Sequence, residues 1–239
     1  PKSQREFLAV MGLADEFTIE MAKFVTDNPD VEKILSRLTV QNAFVKRLPD
    51  GSTYRFHHMM KECASQVFQM LEKEKQSFYQ KRFALWYEEH KQYLHALNAY
   101  RQSEDYDGLL RVIQKDAGIL LSSLNPDAVL SVIDNCPAST LKEHPLSLLV
   151  LMRSMFNWNR FPKMMEMRSL LMASIEEHTE MSARERGNLL GECDLIMSFL
   201  CYNDISAMSR LHRSASNQMS RPAISIHKSG GWTFGSPSV

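Results

Sequence analysis

The sequence lacks a net charge and lacks a long apolar run. Acidic and basic residues number 28 each, so the formal net charge is zero, whereas a domain that binds DNA or RNA unaided usually carries a basic excess. No apolar run approaches the ~20 residues that a helix needs to span a bilayer. We therefore expect no membrane partner and no bulk binding of nucleic acid by this segment.

Cysteines are few and widely spaced. No two of the four have the short separation of a zinc knuckle or a redox motif. They fall in apolar, helical stretches, which predicts free, buried, reduced thiols and hence a cytoplasmic protein without a metal site. The four residues are Cys63, Cys136, Cys193 and Cys201.

Glycine is also scarce, with nine residues in 239, and none lies in a Gly-x-x-x-x-Gly-Lys-[Ser/Thr] phosphate loop. The acidic and histidine residues that adjoin each other, at 88–90 and 176–178, are consecutive and point around a helix, so they cannot converge on a substrate. The sequence therefore predicts no catalytic residue, no enzymatic activity and no cofactor within this segment.

The first part of the chain, residues 1–75, has the pattern of a winged-helix module. Apolar periodicity predicts helices near residues 6–11 and 31–38, and a helix that opens at Phe17-Thr18 with Thr18 as its N-cap. Asp50-Gly51 then separates two β-prone runs, 43–48 and 52–57, which predicts a hairpin, and a helix follows over 58–72.

The remainder is predicted to be helical, so the fold class is mainly α. Residues 76–144 read as a helical arm or linker bundle. Residues 145–239 read as antiparallel, tetratricopeptide-like helix hairpins of α-solenoid style, with a loose ~34-residue period, and 223–226 as a strand or extended segment. Because the chain starts at Pro1 and ends without a charged tail or helix stop, we expect a segment of a longer protein.

Several blocks carry a resemblance to one family: Phe17 to Ala22, Asn42 to Leu48, Tyr54-Arg55-Phe56-His57-His58 and the tryptophan-containing 82–90. The chain resembles the middle of the large LuxR-type regulators related to the maltose-regulon activator. Their order is a P-loop ATPase of the STAND class, a winged helix, a helical arm, a tetratricopeptide-like sensor and a helix-turn-helix. The resemblance implies an adjacent ATPase domain in cis that holds ATP or ADP, and DNA contact only through a helix-turn-helix outside this segment.

Two candidate sites follow. The resemblance implies that His57 and His58 approach the phosphates of a nucleotide in the intact protein; alternatively, one caps a helix and the other packs in the core. A methionine and aromatic cluster predicts either a groove for an inducer or regulatory protein, or plain packing between hairpins. Its residues are Met152, Met155, Phe156, Trp158, Phe161 and Met165.

The function that the sequence favours is a non-catalytic regulatory segment. Its winged helix would restrain the ATPase domain, its helix pairs would receive a small-molecule inducer or a protein, and a hinge would lie at residues 71–80. One alternative is a stand-alone tetratricopeptide-like scaffold that binds peptides. Another is DNA binding by the winged helix, through the thin basic set of Lys33, Arg37, Lys46 and Arg47, which Glu32 interrupts.

Overall fold

The computed structural model, which describes residues 2–40 and 44–226, is built mainly of α-helices, with a small antiparallel sheet near the start of the chain. This confirms the predicted fold class of a winged-helix module followed by helix pairs. Packing divides the chain into two units, Pro1–Asp105 and Tyr106–Val239. The three-part division at residues 75 and 144 stays a prediction about sequence modules, as does the tetratricopeptide register.

Unit 1 contains the winged helix and the two helices that follow it. Its elements are α1 (Lys2–Met11), β1 (Phe17–Thr18), α2 (Ile19–Thr26), α3 (Val31–Val40), β2 (Val45–Arg47), β3 (Thr53–Phe56), α4 (His58–Gln69), α5 (Lys73–Glu89) and α6 (Tyr93–Gln102).

The hairpin between β2 and β3 forms around Asp50, as predicted. One carboxylate oxygen of Asp50 accepts the N–H groups of Ser52 (3.1 Å) and Thr53 (3.0 Å), and the other accepts the Thr53 hydroxyl (2.5 Å). These bonds lower the pKa of Asp50 to about 2, the hydroxyl of Thr53 contributing most. Gly51 takes a φ of 71°, which a glycine adopts at little cost.

The sheet has a third strand that the sequence did not reveal. Phe17-Thr18 was expected to open a helix, but these residues form β1, which pairs with β3 and gives the strand order β1-β3-β2. The buried Phe17 ring lies 5.2 Å from the ring of Phe56. The N-cap prediction is confirmed, because the Thr18 hydroxyl accepts the N–H of Met21 at 3.2 Å.

Helix α5 is longer than expected and packs on the winged helix. It begins at Lys73, with Glu72 as its N-cap, so residues 73–80 are helical and the predicted hinge at 71–80 is wrong over that range. Arg82 of α5 donates from Nε to the carbonyl of Phe24 in α2 (2.7 Å) and lies 4.9 Å over its ring. The Trp86 ring is tilted against the same Phe24 ring, with the ring centroids 5.5 Å apart.

Unit 2 is made of helices and short 3-10 turns. Its elements are α7 (Tyr106–Asp116), a 3-10 turn (Leu120–Ser123), α8 (Pro126–Asn135), α9 (Ala138–Lys142), α10 (Pro145–Asn157), α11 (Phe161–Glu177), α12 (Ala183–Ser198), a 3-10 turn (Phe199–Cys201) and α13 (Ile205–Gln218).

Helix α10 is the centre of unit 2. Residues 147–152 are all buried, and α10 packs against α7, α9, α11 and α12. Helices α10 and α11 form one hairpin, and α12 and α13 form the next, with the N-cap side chains of Ser182 and Asp204 starting α12 and α13. Residues 223–226 were predicted to be a strand or an extended segment, and the strand is wrong, because residues 219–226 are irregular.

The prediction for the cysteines holds only in part. Cys136 and Cys193 are buried, Cys201 is half-buried, and Cys63 is exposed. None of the helices in the described part of the chain is long and apolar enough to cross a membrane.

One close contact fixes the packing of α1 against α4. A Cβ atom added to Gly12, just after α1, would lie 2.2 Å from the Cβ of Ala64 in α4. We expect Gly12→Ala to lower the free energy of unfolding by about 1–3 kcal/mol, because α1 and α4 must move apart. Chemical denaturation of the purified chain measures this change.

Ser65→Ala, on the exposed side of α4, serves as the control and should change stability by less than about 0.5 kcal/mol. Adding Ala64→Gly to Gly12→Ala should restore much of the loss. A Gly12→Ala chain as stable as the original would show that α1 and α4 do not approach so closely.

Candidate functional site on the outer face of the wing

The small sheet has one buried face and one exposed face. Side chains of a strand alternate between the two sides of a sheet, and in β3 Tyr54 and Phe56 point into the core while Arg55 is exposed. Arg55 lies directly opposite Lys46 of β2. The outer face of the sheet therefore places two cationic side chains next to each other.

An exposed aromatic residue continues this face. The carbonyl of Phe44 accepts the N–H of His57 at 2.8 Å, and their ring centroids are 6.0 Å apart. Phe44 is 57% exposed and has a φ of 59°, a left-handed conformation that is unusual for a bulky residue. A residue whose role is packing is usually buried and has an ordinary backbone conformation, and Phe44 has neither property.

The two histidines lie at the N-terminus of α4. His57 is the N-cap residue, but its side chain makes no capping hydrogen bond. The rings of His57 and His58 are 4.3 Å apart and both residues are exposed, as is the adjacent Met59. The alternative of one capping and one core histidine is therefore wrong. The nucleotide-phosphate role stays a prediction.

Together these residues form what we call the wing face: Phe44, Lys46, Arg55, His57 and His58. Imidazoles and cationic side chains donate hydrogen bonds to phosphate or carboxylate oxygens. The N-terminus of α4, with no acidic residue in its first turn, adds a favourable potential for an anion. Glu16 pairs with Arg55 and offsets part of this charge. The wing face can thus bind an anionic group beside an apolar ring.

Two basic residues on the helical side of the module are paired with acidic residues. Lys23 pairs with Glu32 at 2.5 Å, and Lys33 pairs with Asp30 at 2.7 Å. Since DNA affinity depends on cations that can replace the counterions of the phosphate backbone, these ion pairs weaken the case for DNA binding through α3.

The predicted methionine and aromatic groove separates into two parts. Met152 and Met155 are fully buried in α10. They therefore belong to the core, as the packing alternative predicted, and do not line an open groove. Phe161 and Met165 are each 40% exposed. Phe156 is half-buried against Phe199, at a centroid distance of 5.3 Å, and Trp158, the C-cap of α10, is also half-buried.

Sequence reasoning identified the histidines but missed their neighbours. The register of β2 and β3 places Arg55 opposite Lys46, and a backbone hydrogen bond just beyond this register joins Phe44 to His57. The strict alternation in 53–57 is the signal that could have found Arg55. No sequence pattern predicts the positive φ of Phe44.

Because Phe44 is exposed and Phe56 is buried, we expect the same substitution to affect stability very differently at the two positions. Phe44→Asn should leave the free energy of unfolding within about 1 kcal/mol of the original, because the ring is exposed and asparagine tolerates a left-handed backbone. The same change at the buried Phe56 should cost at least ~3 kcal/mol. Thermal or urea unfolding compares the two variants, and equal losses would show that Phe44 belongs to the core.

Comparison with known proteins bears on the module that carries the wing face. Residues 1–77 match the family model of the MalT winged helix domain. No curated protein matches the chain, and no solved structure matches it. Since the winged helix of that family is regulatory rather than catalytic, the match supports a non-catalytic, MalT-like regulator segment over the first third of the chain, to which the wing face belongs.

Proposed function

We propose that this chain is a regulatory segment of a signal-responsive, LuxR-type transcription regulator. Its winged helix docks through the wing face on an adjacent nucleotide-binding ATPase domain and restrains it. The helix pairs of unit 2 receive an inducer or a protein partner. The match of residues 1–77 to the MalT winged helix domain supports the family, and the wing face supports the docking role.

The observation that carries the proposal is an exposed cluster that the fold does not use. Phe44, His57 and His58 are exposed and close to one another, while the core of the module is completed by residues on the opposite face of the sheet. An apolar ring beside several hydrogen-bond donors is a suitable contact for a neighbouring domain that carries phosphate. The aromatic ring would contribute burial and the donors would contribute specificity.

His57 and His58 would hold a phosphate oxygen of a nucleotide in the neighbouring domain. Each neutral imidazole has one N–H donor, and each protonated imidazole has two. Because they start α4, the dipole of that helix favours the same anion. The contact would stabilise a resting state, and a partner on the helix pairs would shift the population away from it.

Two buried thiols support the cytoplasmic location that we propose. Burial raises the pKa of both Cys136 and Cys193 to about 11. Both thiols therefore stay protonated and poorly reactive at neutral pH. Such reduced cysteines suit a compartment in which thiols are not oxidised.

The proposal is tested in the intact protein with its neighbouring domain. His57→Ala combined with His58→Ala should accelerate release of bound ADP about a hundredfold or more, because two charge-assisted bonds are lost and each is worth roughly 1.5–3 kcal/mol. Stopped-flow displacement of a fluorescent ADP analogue measures the rate.

His90→Ala is the matched control, since His90 is exposed in unit 1 but stacks on Trp86 at 3.9 Å, away from the wing face. It should leave the rate unchanged. If the double variant releases ADP at the original rate, the wing face does not contact the nucleotide domain.

A further inference from the structure

The irregular segment after α13, residues 219–226, is held in unit 2 in an unusual way. We call this segment the strap. Among the residues that the structure describes, none from 220 to 226 makes a hydrogen bond between backbone groups. The main chain of the strap is instead bound by side chains of α12 and α10. Binding of a non-helical main chain by fixed side chains is one way in which a helical surface recognises a peptide.

The first contacts are made by Asn188 and Arg184 of α12. The buried Asn188 accepts the backbone N–H of Ser220 at 2.7 Å and its hydroxyl at 3.2 Å through the same side-chain oxygen. Arg184 donates from Nε to the Ser220 hydroxyl at 2.8 Å. This end of the strap is therefore fixed through both its backbone and its side chain.

The second contacts centre on Glu192, a fully buried residue of α12. Its carboxylate accepts the backbone N–H of Ser225 at 2.5 Å and Arg221 Nη1 at 3.0 Å. Arg153 of α10 donates to the carbonyl of Ser225 at 2.9 Å. Both polar backbone groups of Ser225 are thus bound by side chains. Burying a carboxylate is costly unless a cation and hydrogen-bond donors compensate for the lost hydration.

The side chain of Ser225 fits this place poorly. Its hydroxyl is buried and finds no hydrogen-bond partner among the residues that the structure describes, which carries a desolvation cost without a compensating bond. The groove therefore recognises the backbone at this position and an arginine four residues earlier, but not the serine hydroxyl. A segment with alanine or glycine in place of Ser225 would fit better than the strap itself.

Two glycines of α12 bring the chain close to the helix. A Cβ atom at Gly187 would lie 2.7 Å from the carbonyl oxygen of Gln218, and one at Gly191 would lie 2.5 Å from Cγ of Met219. Residues four apart share one face of a helix. This face of α12 is consequently open enough to receive a closely approaching main chain.

We propose that the surface formed by Asn188, Glu192 and Arg153 is a groove for a peptide in an irregular, non-helical conformation, and that the strap occupies it in cis. The peptide partner carries an arginine for Glu192 and a free backbone N–H four residues later. This inference rests on the proposed function in one respect, which is that both assign a partner-binding role to unit 2. Its test involves neither a nucleotide nor the wing face, so the two proposals fail separately.

Fluorescence anisotropy with a labelled synthetic peptide of residues 218–226 tests the groove on the full chain. The original chain should bind the probe weakly, because the strap competes. Arg221→Glu in the chain should displace the strap by repulsion from Glu192 and should bind the probe at least about tenfold more tightly. Arg210→Glu, an exposed charge reversal on α13, is the control and should behave like the original chain.

The probe itself has two variants. Alanine in place of its arginine should weaken binding to the Arg221→Glu chain about tenfold or more, whereas alanine in place of the serine at position 225 should bind as well or better. A folded Arg221→Glu chain that binds no probe, or that binds it regardless of the arginine, would overturn the proposal.

If the Arg221→Glu chain does not fold, hydrogen exchange on the original chain tests whether the strap can leave the groove. The backbone amides of Ser220 and Ser225 should exchange at least about tenfold faster than the interior amides of α12, because the strap opens while unit 2 stays folded. Exchange of these amides only at the rate of the α12 interior would show that the strap is a permanent part of the core and would overturn the proposal.

Discussion

The pairing of β3 with a strand on each side is the constraint on which the winged helix depends. β1 adds Phe17 beside Tyr54, and β2 adds Val45 beside Phe56, so the three strands direct their apolar side chains to one face. Because side chains alternate along a strand, the same pairing directs Lys46 and Arg55 to the other face. The interaction that builds the core of the module therefore also creates a face that the core cannot use.

The end of β3 determines where the histidines lie. Phe56 is the last residue of the strand, and α4 begins two residues later at His58. His57 is held by the hydrogen bond from its N–H to the carbonyl of Phe44. The histidine pair is thus fixed by sheet register at one end and by a helix N-terminus at the other, a rigid support of the kind that a precise contact with a neighbouring domain needs.

Much of the fold follows from local signals in the sequence. The Asp50-Gly51 turn, the Thr18 cap and the proline at the start of α10 each act within a few residues, and the structure has all three. β1 could not be found in this way, because two residues are too short to show alternation and their pairing partners, Tyr54 and Thr53, lie 37 and 35 positions later in the chain. The start of α5 was missed because its first turn is charged and carries no apolar period.

The candidate sites also could be predicted only where local sequence signals determine them. Methionines at helical spacing fit a groove and a core equally well, and only packing places Met152 and Met155 inside α10. The bonds from Glu192 and Arg153 to the strap join residues distant in sequence and involve main-chain atoms, which no side-chain motif encodes.

Chemical labelling of the histidines tests the central claim, that the wing face is buried against a neighbouring domain. The intact protein with bound ADP and the chain of residues 1–239 would each be treated with diethylpyrocarbonate, and the modified peptides quantified by mass spectrometry. The account predicts rapid labelling of His57 and His58 in the chain and strong protection in the intact protein, with His90 labelled alike in both. Equal labelling of His57 and His58 in the two proteins would contradict it.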